Sequence, residues 1–154
     1  MGHREEEPSS VEKKAFPMRA VLNAGPIISL AGISYFFVLR EIFADVLIPK
    51  AVSDEILVHG QGKTGARELH QALREAEAIV LALEQRAGFV IMDEIKARKE
   101  AMRLGLGVIG TLGILKRAKD LSLVKENLSV LLERLKRSGF RVSAAVEQDF
   151  LKHR

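Results

Sequence analysis

The chain has 154 residues, carries 24 Lys and Arg against 20 Asp and Glu for a net charge of +4, and contains no cysteine. That length suits one domain able to bury a core without covalent staples, and the lack of cysteine excludes disulfide frameworks, thiolate metal centres and cysteine nucleophiles. The apolar runs are too short to cross a bilayer, and the opening MGHREEEPSSVEKKAFP lacks the apolar core of a secretory signal. Residues 1 to 17 are therefore expected to form a mobile tail, residues 18 to 154 a single domain, and the setting to be cytoplasmic.

Four short segments read as strands buried on both faces, being apolar and rich in β-branched residues: MRAVLN (18 to 23), DVLIP (45 to 49), FVIMD (89 to 93) and GVIG (107 to 110). Helical patterns lie between them at 26 to 43, 50 to 59, 65 to 87, 94 to 104 and 111 to 120, and two more follow near 125 to 138 and 143 to 152. Such alternation predicts an α/β fold with a parallel sheet covered by helices. The long pattern from 65 to 87 places Leu69, Leu73, Ala76, Val80, Leu83 and Ala87 on one stripe, with Gly88 as its left-handed cap.

Charge divides along the chain. Residues 1 to 94 hold ten Lys and Arg against fourteen Asp and Glu, and residues 95 to 154 hold fourteen against six. A basic second half suits a polyanion, although charged helices also need solvated faces. Asn23 closes the first strand and Asp93 the third, so a parallel sheet sends both to the same rim, with Glu94 directly after Asp93. Glu55 follows the second strand on a helix, and Glu75 and Glu77 precede the third. Glu75 and Glu77 lie two residues apart and point to roughly opposite helix faces, so only one can serve the rim.

Carboxylates gathered at one rim, without cysteine or a suitably spaced histidine pair, favour hard cations such as Mg2+ or Mn2+. Such ions serve phosphodiester hydrolysis by activating water and neutralising the attacked phosphate. Lys96, Arg98, Lys99 and Arg103 would then track the nucleic-acid backbone. Each residue also has an ordinary reading: the glutamates as solvated helix faces, and Asp93 with Glu94 as a helix N-cap and first-turn acid.

In order, VLNAGPIISLAGI, LREIFADVLIPKAVSDEI, REAEAIVLALEQRAGFVIMDEIKAR and RLGLGVIGTLGILKRAKD resemble the successive motifs of the PIN-domain family, in its prokaryotic branch of nucleic-acid-binding proteins of unknown function. The resemblance implies a three-layer α/β/α fold and a metal-dependent ribonuclease, in many relatives the toxin of a toxin-antitoxin pair. RNA is then the implied partner, with an antitoxin protein or a second copy of the chain as protein partner. By motif, Asn23, Glu55, Glu75 and Asp93 fall on the four acid positions. Glu55, Glu75 and Asp93 are thereby the catalytic acids, and these three with Asn23 and Glu94 the metal ligands. Glu94 and Arg98 match the polar run after the fourth acid, and Thr111 a position where a hydroxyl and a helix N-terminus meet a phosphate.

Two departures stand out. Asn23 replaces an aspartate, so one negative charge is missing from the ligand set. Only nineteen residues separate Glu55 from Glu75, too few for a further parallel strand and its crossover. One edge strand of the sheet is therefore expected to be missing.

Overall fold

The computed structural model describes residues 16–58 and 64–153, with side chains described for residues 19–54 and 74–153. The expected tail lies outside the described residues up to residue 15, but Phe16 and Pro17 already belong to the first strand, β1 (Phe16–Leu22). Next come α1 (Ala24–Gly32), α2 (Val38–Ile42), β2 (Phe43–Leu47), α3 (Lys50–Val58) and α4 (Thr64–Glu84). The chain continues through β3 (Phe89–Ile91), α5 (Ile95–Arg103), β4 (Gly107–Ile109), α6 (Thr111–Asp120), α7 (Leu128–Arg137) and α8 (Ala144–Lys152).

Among the described residues the sheet has four parallel strands in the order β2-β1-β3-β4. Its central strands, β1 and β3, are buried on both faces, and alternation along them sorts the core into two layers. Ala20, Leu22 and Ile91 face a cluster with Leu30, Ile114, Leu115 and Leu131 from α1, α6 and α7. Val21, Val90 and Met92 face the opposite cluster, with Ala78, Ile79 and Ala82 of α4 and Ala97 and Ala101 of α5. The result is the three-layer α/β/α architecture, with β2 as an edge and no strand outside it among the described residues.

Three local expectations are corrected. The helix expected over 26 to 43 breaks into α1 and α2, because Ser34 takes a left-handed φ of 64° and Tyr35 N–H donates back to Leu30 at 2.9 Å. The expected apolar stripe is turned away from the sheet along α4, where Ala76 is exposed and Val80 and Leu83 are 51% and 45% exposed, and only Ala87, past the helix end, is buried among its described side chains. Small Ala78 and Ala82 face inward instead, which lets the helix backbone approach the valines of β1 and β3 closely. Leu69 and Leu73 of that stripe lie outside the described side chains. Finally, the left-handed residue after α4 is Arg86, φ 51°, while Gly88 joins the sheet by donating to Arg19 O at 3.0 Å.

Candidate functional site

Strand order reverses between β1 and β3, and in open parallel sheets the crevice beyond the strand ends at such a point is where ligands bind. Asn23 leaves β1 there. Its backbone N–H continues the ladder to Ile91 O at 3.0 Å, and its side-chain oxygen, on an N-cap with extended φ and ψ, accepts from Ala24 N–H at 2.9 Å. Asn23 thus starts α1 and, 6% exposed, forms part of the crevice wall.

Asp93 follows β3. Its Oδ1 accepts from Thr111 N–H at 2.8 Å and its Oδ2 from the Thr111 hydroxyl at 2.7 Å. The carboxylate therefore caps α6, whose own N-cap, Gly110, has no side chain to offer. A Cβ on Gly110 would lie 2.9 Å from Asp93 Oδ1 and 3.0 Å from Arg98 Nη1, so only glycine fits this cradle. Thr111 is fully buried with both donors turned to Asp93. This replaces the expected contact of Thr111 with a phosphate: the residue positions Asp93. Glu94, and not Asp93, occupies the N-cap of α5, is exposed, and makes no side-chain capping bond.

A cavity of about 440 Å³ brings together Asn23, Glu75, Asp93 and Glu94, with Arg74, Ser29, Phe140 and Arg141 completing its walls. Glu75 is half-buried there, whereas Glu77 is exposed and does not line it. Glu55 lies on α3, the helix that follows the carboxyl end of β2, and its side chain is outside the described residues. The donors are all oxygens, the set a hard cation takes. Among the described residues, however, no three acidic or imidazole side chains stand close enough together to hold a metal ion.

The basic residues separate into different surroundings. Lys96 and Lys99 are exposed on α5, while Arg98 is half-buried and reaches Gly110 in a groove beside the crevice. Arg103 chelates Glu100 one turn earlier and holds its carboxyl below the usual range, which ties up a guanidinium expected to meet phosphate. Arg74 and the Phe140–Arg141 pair were not foreseen. A Ser-Gly-Phe-Arg loop between two helices is the kind of segment that carries function, and it was the available signal.

A profile of the PIN domain matches residues 19–76 and 67–154, two segments that overlap inside α4, where the interval between Glu55 and Glu75 is short. Searches of curated proteins and of solved structures find no match. With the match extending over nearly all of the folded chain, and with the three-layer α/β/α architecture in place, the chain belongs to the PIN-domain family.

Proposed function

We propose that the protein binds RNA across the crevice between β1 and β3 and hydrolyses its phosphodiester backbone with Mg2+ or Mn2+. The observation that carries this reading is the convergence of Asn23, Glu75, Asp93 and Glu94 on one cavity that Arg74 and Arg141 also border. Acids next to cations suit a phosphate that must be drawn in and then neutralised. Asn23, Glu75 and Asp93, together with Glu55 from α3, would hold the cation, which would supply Lewis acidity and make water more acidic there. Thr111 fixes the Asp93 carboxylate in one orientation. Glu75 orients the attacking water, and Arg74 and Arg141 steer the backbone, with Lys96 and Lys99 as its outer path. The same reading makes the protein a toxin-type ribonuclease of the cytoplasm, held in check by an antitoxin protein.

A second reading, a binding module without catalysis, has its own support. The Asn23 oxygen accepts from Ala24, and both Asp93 oxygens accept from Thr111. Restoring the charge by Asn23→Asp separates the two, since aspartate caps a helix as well as asparagine does. Under the nuclease reading this variant melts lower than the parent in chelator, because like charges repel in the crevice. It then gains more from manganese and cleaves mixed RNA at least as fast. A manganese response no greater than the parent's, by calorimetric titration and melting, defeats the metal site. RNA binding without cleavage establishes the module.

A further inference from the structure

The last three helices are attached to the domain in different ways. Helices α6 and α7 each bury four residues, whereas α8 buries Phe150 alone. Its other large apolar residues, Val146 and Leu151, are 49% and 43% exposed. A nine-residue helix with one buried anchor is too short to keep its shape away from the domain. One flank also faces space rather than protein: Val146, Asp149 and Phe150, with Val142 and Ser143 before them, form one wall of a groove of about 500 Å³ that has α5, β4 and α6 opposite.

Ion pairs supply the rest of the attachment. Lys136 Nζ on α7 meets Glu147 Oε2 at 2.7 Å, Lys116 Nζ on α6 meets Asp149 Oδ2 at 3.5 Å, and Asp120 Oδ1 at the end of α6 meets His153 Nε2 at 2.7 Å. These contacts run from the first turn of α8 to its C-cap and tie it to both neighbouring helices. Solvent reaches all six partners, so salt screens them as it does not screen apolar burial.

The connection to α7 is built as a hinge. Phe140 N–H donates to Leu135 O at 3.0 Å and closes α7, while the Ser143 hydroxyl accepts from Val146 N–H at 3.3 Å and opens α8. Between these ties, Arg141 and Val142 take part in no backbone hydrogen bond among the described residues. Rotation about the two residues therefore breaks no backbone pairing.

We propose that α8 is an ionic strap, a helix that docks and undocks as a unit about the Arg141–Val142 hinge, with its docked fraction set by ionic strength. Burial of Phe150 keeps the open form a minor one. Undocking opens the groove to solvent and frees Arg141, which lines both the groove and the acid crevice, from its fixed place on the rim. The rest of the domain, held by apolar burial, stays folded during the excursion. The strap acts in this way whatever the crevice binds.

The test is amide hydrogen exchange of the full chain, resolved by NMR at about 0.01 M and about 1 M sodium chloride, between which the screening length falls from about 30 Å to about 3 Å. Three solvent-reached pairs together shift the docking equilibrium about tenfold. The hydrogen-bonded amides of α8 should accordingly exchange about tenfold faster in high salt, all by a similar factor, while those of β1 and β3 stay unchanged. Lys116→Gln combined with Lys136→Gln removes two of the pairs and leaves the sequence of α8, and so its intrinsic exchange rates, untouched. This double variant should exchange about fivefold faster in α8 at low salt and lose most of the salt response. Thermal melting reports whether it folds; if it does not, the salt series on the parent decides. Amides of α8 that exchange only in step with β1 and β3 at both salts overturn the strap, because the helix then opens only with the whole domain. Fast exchange that ignores both salt and the lysine changes overturns it as well, since the helix then frays without any ionic hold.

Discussion

Thr111→Val deletes one hydroxyl and keeps the branched shape, which isolates the bond that fixes Asp93. The lost donor lies 2.7 Å from Asp93 Oδ2, while the Thr111 N–H still holds Oδ1 at 2.8 Å. A hydrogen bond to a charged group contributes about 1.5–3 kcal/mol. Thr111 has no exposed surface, but Asp93 is half-exposed and water reaches its freed oxygen, which places the expected loss at about 1.5–2 kcal/mol. For a chain of this size each kcal/mol moves Tm by about 2–4 °C, so calorimetry should find the variant melting about 3–8 °C lower. A double-mutant cycle with Asp93→Ala then assigns the loss: the pair should couple by about 1.5–2 kcal/mol, because the valine costs little once the carboxylate is gone. A variant within about 1 °C of the parent, or losses that simply add, refutes the account of Thr111 as the residue that positions Asp93.

Gly110→Ala should destabilise the fold by about 1–3 kcal/mol, since its Cβ would meet a carboxylate that Thr111 keeps from moving aside. An unchanged denaturant midpoint would remove the cradle. Stability should also fall on the acid side. Glu126 accepts from the Tyr35 hydroxyl at 2.7 Å and from Arg134 at 3.0 Å, and these donors, Tyr35 foremost, hold its carboxyl below the ordinary 4.5. A lowered folded pKa gives stability that is fully present above the ordinary value and is lost as pH falls through the folded one. Tyr35→Phe should therefore melt lower than the parent at neutral pH, with the gap narrowing below pH 4.5; a constant gap across that range contradicts the linkage.

Composition and alternation made the fold class readable, because two-sided burial leaves its mark in runs such as MRAVL and FVIMD. The break after Gly32 was not readable: SYFFVL continues a helical period, and what ends it is the left-handed Ser34 and a Tyr35 anchored to Glu126, ninety-one residues away. The burial of α4 misled for a related reason. Periodicity favours the larger side chains Val80 and Leu83, whereas close packing on a sheet rewards Ala78 and Ala82. At the site, strand ends located Asn23 and Asp93 from local pattern alone. The role of Thr111 depends on a contact across eighteen residues between neighbouring strand ends, which local spacing does not encode. Arg141 comes to the crevice by a route through α7 that only the packed fold defines.

The core layer on the α1 side joins Ala20 and Leu22, from the first strand, to Leu131, Leu135 and Phe150 near the other end of the chain. Synthesis proceeds from the amino end, so a ribosome releases the central strand long before the helices that roof it. Until α7 and α8 emerge, the layer on the α1 side of the sheet is incompletely covered, and the nascent chain must be shielded or fold late, as a unit. Truncation from the carboxyl side would accordingly act on the whole molecule: removing α8 takes away Phe150, which seals the layer at 1% exposure. The same connectivity ties the crevice at the strand ends to completion of the entire polypeptide, so that a ligand meets a finished site or none.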